Sequence, residues 1–217
     1  MTKINSTKRQ YKILSGSAIP KEYIEKSHEL DEILYESEDT SPVEKCLNWY
    51  EENNEIYTIA IDEKTEEVIA CINIMPLTEK YYTKIRNGEY KDTYLPTEAI
   101  LKYDKIGYYD LYVSSVAINP KNNDVLLLRE LIDFVAGRLI EFSERGILCR
   151  RIMAEAVSKK GMRLCEIMGM EEVKNLNNIS NTYEAKLMPP KFKTPTEKVK
   201  ELYRIYKIIS EVFIKPE

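Results

Sequence analysis

The sequence predicts a mixed α/β fold with a splayed, bulged central strand, and three consecutive segments carry that prediction. Residues 109–118 alternate as a strand, but the apolar positions are Leu111 and Val113 before Ser114 and Ser115, then Val116 and Ile118 after them. A strand has a side-chain period of two, so this slip marks either two short strands or one strand with a β-bulge, which bends the chain and leaves a backbone group unpaired. From Val125 the apolar residues Leu128, Leu131, Ile132, Val135, Leu139 and Phe142 recur at helical steps, and Gly146 stands where a helix-terminating glycine belongs. Residues 147–157 then read as a largely buried strand. Strand, crossover helix and strand in that order predict a parallel pair with a right-handed connection.

The flanking segments extend this core in both directions. Residues 21–36 form a charged helical stretch with the only histidine, His28, which reads as a surface or capping residue. Residues 41–53 form a second helix with Val43, Leu47 and Tyr50 on one face, and Trp49 placed to cover a substrate side. Residues 56–61 and 67–76 flank a turn and predict an antiparallel hairpin, in which Asn73 is the polar exception and a candidate cleft residue. Residues 77–107 form an insertion bearing Tyr81, Tyr82, Tyr90, Asp92 and Tyr94, which suits acceptor recognition, a partner surface or a cover for a sheet edge. Residues 171–175 and 182–187 pair as a closing hairpin, and the core is expected to end at Pro189-Pro190. Beyond it, residues 196–213 form an amphipathic helix that docks on its own domain or on a second subunit of a homodimer. One domain over 1–190 with a helical extension over 191–217 is therefore expected.

Ile118-Asn119-Pro120 closing the bulged strand, and Gly169-Met170 closing the short helix after the next strand, resemble the GCN5-related N-acetyltransferase family. That resemblance implies a GCN5-related acyl-CoA N-acyltransferase fold, acetyl-CoA as cosubstrate, no metal, and acetyl transfer by direct attack of an amine on a small molecule or peptide. It implies that Val116, Ala117 and Ile118 face the pantetheine, and that Asn122, Asn123, Asp124, Val125, Leu126 and Leu127 surround the pyrophosphate. Helix N-termini suit that task because their first amides are unpaired and the dipole end is positive. Where the family's turn usually carries Gln or Arg and then two glycines, this chain has Asn123, Leu126 and Leu128. Glycine admits a ligand close to the backbone, whereas a leucine either blocks that approach or points into the core. A protein that keeps the fold as a ligand-binding or interaction module is the alternative reading. Lys121, Arg129, Lys159 and Lys160 are cations able to meet phosphates, or simply solvated side chains.

For the chemistry, the resemblance puts Cys165 where the family commonly has a tyrosine that protonates the departing thiolate; as a residue it reads equally as a small core side chain. Asp110 and Glu155 are the candidate bases, with Glu155 also a candidate partner for Arg150 or Arg151. Asp110, Tyr112 and Ser114 share the strand's even positions and are expected on the cleft side, with Tyr112 and Ser114 as substrate contacts. The 217 residues, 43% hydrophobic and 31% charged, suit one sizeable core, and a net charge of -4 with interspersed basic residues argues against bulk nucleic-acid binding. Four cysteines without a Cys-x-x-Cys spacing argue against a zinc site or a disulfide scaffold. The absence of an apolar leader or a bilayer-length apolar run points to a cytoplasmic protein away from membranes.

Overall fold

A computed structural model describes residues 10–122, 126–174 and 181–213. The strands are β1 (Tyr11–Ser15), β2 (Tyr57–Asp62), β3 (Val68–Leu77), β4 (Gly107–Ile118), β5 (Ile147–Ala156), β6 (Glu171–Glu172), β7 (Asn181–Leu187) and β8 (Pro190–Lys191). The helices are α1 (Lys21–Leu34), α2 (Val43–Glu52), α3 (Glu79–Arg86), α4 (Leu127–Glu144), α5 (Lys159–Met168) and α6 (Glu197–Phe213). One sheet runs β1-β2-β3-β4-β5-β7-β6, with β8 also on β7. Among the described strands β4 and β5, joined by the α4 crossover, pair in parallel, and the other neighbours are antiparallel.

The phase slip read in the sequence is a bulge at Ser114. Asn73 pairs with Ser115 and Ile74 with Val113, so Ser114 is the extra residue of β4. The bulge lets one apolar face continue across the slip: Tyr109 and Leu111 pack with α4 and α6, and Val116 and Ile118 pack over Leu127 and Leu131 of α4. The opposite face of β4 carries Tyr112 and Ala117 against the layer of α1, α2 and α3. Ser115, not Ser114, holds the polar place on that face after the slip, as its hydrogen bond to Asp31 of α1 shows.

A second bulge sits in β5, where Tyr109 pairs with Cys149 and Asp110 with Arg151, leaving Arg150 as the extra residue. Two consecutive arginines thereby reach one carboxylate. Arg150 donates Nε and an Nη to the two oxygens of Asp110 at 3.1 and 2.7 Å, and Arg151 adds an Nη bond at 3.0 Å. The Arg151 guanidinium lies 4.3 Å from the centre of the Tyr82 ring, and the Tyr82 hydroxyl and Arg86 both donate to Glu184 of β7. The insertion is thus part of the core: Tyr82, Ile85 and Leu95 are fully buried, and Thr78 N–H donates to the Ala99 carbonyl where the segment closes on itself.

The C-terminal helix docks on its own domain, against α4, with Val199, Leu202 and Tyr206 buried. Thr196 caps its first turn by accepting from Val199 N–H, and the Tyr206 hydroxyl accepts the Cys149 N–H of β5 at 3.1 Å. Pro190 does not end the sheet as expected, since Leu187 and Pro190 pair and carry one further strand. Pro is tolerated there because β8 lies at the sheet's margin, where no ladder N–H is required of it. Among the described residues no helix is long and apolar enough to cross a membrane, and no three His, Cys, Asp or Glu side chains gather to hold a metal.

Gly169 ends α5 at φ +76, while Met170 N–H bonds the Cys165 carbonyl. A Cβ there would stand 2.6 Å from the Lys193 backbone nitrogen. Gly169→Ala is expected to lower stability by at least about 1 to 2 kcal/mol, from the left-handed backbone and the enforced shift of the chain before α6. Urea denaturation of the two proteins checks this, and an unchanged midpoint would contradict it.

Candidate active site

β4 and β5 run together as far as Val113 and Ala154 and then separate, β4 bent away by the Ser114 bulge and β5 continuing along β7 through Glu155 and Ala156. The gap opens a passage through the sheet. Its walls include Asp31, Tyr35 and Trp49 on the α1–α2 side and Leu128, Ile132 and Cys165 on the α4–α5 side. Asn119 N–H bonds the Ile69 carbonyl of β3, and backbone groups alternate sides along an antiparallel strand. Ala117 therefore turns to β3, and the amides of Val116 and Ile118 turn to the opening. The Val116 carbonyl accepts a hydrogen bond from the Tyr35 hydroxyl at 3.0 Å.

Two acidic groups flank the bulge on the α1–α3 side. In the first, the Tyr112 hydroxyl lies 2.8 Å from Asp92 Oδ2 and 3.3 Å from Glu155 Oε2. A phenol has one proton, and the shorter contact gives it to Asp92. Burial raises the Asp92 carboxyl above its ordinary value, with the Tyr112 bond opposing. Burial, reinforced by both carboxylates, pushes the Tyr112 phenol well above its own. The second group is Asp31, whose Oδ1 accepts from Ser115 Oγ at 2.6 Å. Burial pushes the Asp31 carboxyl up to about 6, opposed by the Ser115 bond and the neighbouring His28.

The residues singled out by sequence separate accordingly. Asp110 does not line the passage: it is 2% exposed and clamped by Arg150 and Arg151, so its role as a base gives way to that of ion-pair partner. Glu155 takes the cleft position and Asp110 the arginines, the reverse of the alternative weighed for Glu155. Tyr112, Ser114, Asn73, Val116 and Ile118 all line the passage, while Ala117 is buried in the α1-side core. Cys165 is on the wall but only 6% exposed, packed with Ala154, Ala156 and Tyr183, and burial pushes its thiol up to about 11. Proton transfer from such a thiol to a thiolate of ordinary affinity is uphill by roughly 3 kcal/mol, which favours the packing role. His28 is not a surface residue either, since its Nε2 donates to the Ser41 carbonyl at 2.7 Å.

At the expected pyrophosphate end, the Asn119 side chain accepts from Lys121 N–H at 3.0 Å and its carbonyl from Asn122 N–H at 2.8 Å, forming a tight turn. Asn123, Asp124 and Val125 lie outside the described residues. Leu126 is 52% exposed at the start of α4, Leu127 is fully buried in the core, and Leu128 faces the passage. One leucine in a glycine's place thus points to solvent and the other into the cleft. Lys160 stands in the first turn of α5 on the same wall, and Ser158 caps that helix by accepting from Gly161 N–H.

Asp31 escaped the sequence reading. The buried residues of α1 are Tyr23, Ile24, Ser27 and Leu30, and Asp31 follows Ile24 by seven positions and Ser27 by four. An acid on the buried stripe of a helix was the available signal, hidden by the many acids of the exposed face.

The fold is that of the GCN5-related N-acetyltransferases. Similar solved structures include the loading GNATL domain of CurA from Lyngbya majuscula, 10% identical with a TM-score of 0.55, covering 81% of this chain and 97% of that one. A chain of the NatC complex bound to Gag peptide and CoA is 13% identical with a TM-score of 0.53, covering 81% and 96%. Arabidopsis thaliana NAA60 in complex with a bisubstrate analogue is 13% identical with a TM-score of 0.52, covering 81% and 97%. No family model and no curated protein sequence matches the chain.

The raised Asp31 carboxyl has a consequence for stability. A carboxyl whose folded value exceeds its unfolded one contributes most below the unfolded value, and that contribution is lost as pH rises through the folded value. Stability is expected to fall between about pH 4 and pH 6 by at most about 3 kcal/mol from this group, less as its partial exposure admits water. Asp31→Asn should flatten that portion of the pH profile and be the more stable protein at pH 7. Denaturant unfolding across pH checks this; parallel profiles for the two proteins would contradict it.

Proposed function

We propose that the protein is a CoA-dependent N-acyltransferase that moves an acetyl group from acetyl-CoA to an amine by direct attack. The observation that carries this reading is the parting of β4 and β5 at the Ser114 bulge, which makes a passage open to both faces of the sheet. Acetyl-CoA enters from the α4–α5 side, its pantetheine beside the backbone of Val116 and Ile118. Lys160 and the turn after Pro120 lie toward its phosphates. The amine arrives from the α1–α3 side, where carboxylates are gathered and a cation is favoured. Glu155, its Oε2 3.3 Å from the Tyr112 oxygen whose proton goes to Asp92, is the acceptor for the proton of the attacking amine. No cation is needed to polarise the thioester if a strand amide at the bulge donates to its carbonyl oxygen. The four buried, unpaired cysteines support action in a reducing compartment, the cytosol.

Leu128 on the passage wall and the Tyr35 hydroxyl on the Val116 carbonyl support a second reading, in which the cleft binds a ligand without acyl transfer. Calorimetry with acetyl-CoA beside free CoA tests the first link: one-site micromolar binding is expected, and no binding at millimolar ligand would overturn the acyltransferase reading.

Once turnover is in hand, Glu155→Gln is expected to lower kcat by about 100-fold or more, the usual weight of a general base, with acetyl-CoA affinity retained. Cys165→Ala, by contrast, should leave kcat within about twofold, because a proton donor of such low acidity adds little. Equal losses in the two variants would remove this division of roles.

A further inference from the structure

Of the acids lining the passage, those that bond the side chains of β4 stand in two places. Glu155 and Asp92 meet at Tyr112, before the bulge, and Asp31 sits at Ser115, after it. Tyr112 and Ser115 lie on the same face of β4, on the order of 10 Å apart along the strand. Beside Ser115, directly across the β3–β4 ladder, stands Asn73. Asn73 is 5% exposed and lines the passage, and its Oδ1 is buried with no hydrogen-bond partner among the described residues. An acceptor atom buried without a donor is destabilising by about 1 to 3 kcal/mol, so its retention calls for a reason outside the folded chain.

We propose that the acceptor is a short aliphatic diamine, or the same dication within a longer polyamine, whose distal ammonium binds between Asp31 and Asn73 while its reacting amine lies at Glu155. This rests on the acyltransferase reading and names its acceptor class. An ammonium is the ligand that both recess groups ask for: it carries three donors and no acceptor, matching a carboxylate and a bare carbonyl oxygen together. A neutral alcohol would satisfy Asn73 and leave Asp31 buried without a countercharge. A carboxylate would be repelled. Burial pushes the Asp31 carboxyl up to about 6, a desolvation cost that an arriving cation offsets. The remaining titratable groups near Asp31 are His28 on its own helix, Tyr35, and Cys46, Tyr57 and Cys71 from α2, β2 and β3. Those thiols and phenols are all raised by burial, so they stay neutral and Asp31 supplies the negative charge of the recess.

Calorimetric titration of the full chain with putrescine, beside butylamine of the same carbon number, tests the proposal without CoA. Putrescine is expected to bind at least tenfold more tightly, about 1.4 kcal/mol, and Asp31→Asn should reduce it to the butylamine level. Asn73→Leu should weaken putrescine severalfold while raising the thermal midpoint, an opposition of affinity and stability that a merely structural asparagine would not produce. Equal affinities for the two amines, no binding of either, or putrescine binding untouched in both variants would overturn the diamine site. Failure of acetyl-CoA to bind would instead strike the acyltransferase reading and leave the amine result standing.

Discussion

A single extra residue, Ser114, sets the architecture of this protein. It bends β4 from β5 and opens the sheet, and it exchanges the strand's faces so that Leu111 and Val116 both reach the α4 layer. Without it, the residues after the slip would present Val116 and Ile118 to α1 and Ser115 to the apolar layer beneath α4. A one-residue change of register reverses every side chain beyond it, so the bulge is fixed by burial on both faces. The opening is therefore a by-product of satisfying two hydrophobic layers, and it is as stable as they are.

A strand pair that parts must be held firmly before the parting, and the Arg150 bulge does this. It sets two guanidinium groups on Asp110, and Arg151 leads on through Tyr82 to Glu184 and Arg86. The chain of contacts joins β4, β5, β7 and α3 just ahead of the passage. Asp110 is the buried member, so removing its arginines leaves a carboxylate uncompensated inside the protein, whereas exposed ion pairs such as Arg163 with Glu166 contribute little.

Much of this was legible in residue order. The change of apolar phase at Ser114, the helical spacing from Leu128 to Phe142 and the alternation of residues 67–76 each report burial directly, and burial is what periodicity measures. The parallel pairing followed from the helix between two strands. The β5 bulge was not legible, because Arg150 and Arg151 are charged and a slip in polar residues leaves no hydrophobic trace. For the same reason Asp110 and Glu155 exchanged expected roles: a partner across a sheet depends on register, which local sequence does not reveal. β8 was hidden by Pro190, ordinarily a strand breaker, which is harmless at a margin. Asp31 was concealed among acids of like spacing, although its place on the buried stripe of α1 was there to be read.

The hydroxyl of Tyr206 on the Cys149 amide ties β5, near the middle of the sheet, to a helix reached more than fifty residues later. During synthesis that amide and the apolar groove on α4 have no cover until α6 has emerged from the ribosome. The sheet therefore can be laid down early, but closure is deferred, and nascent chains halted before Tyr206 would present an unsealed groove to chaperones rather than a finished domain.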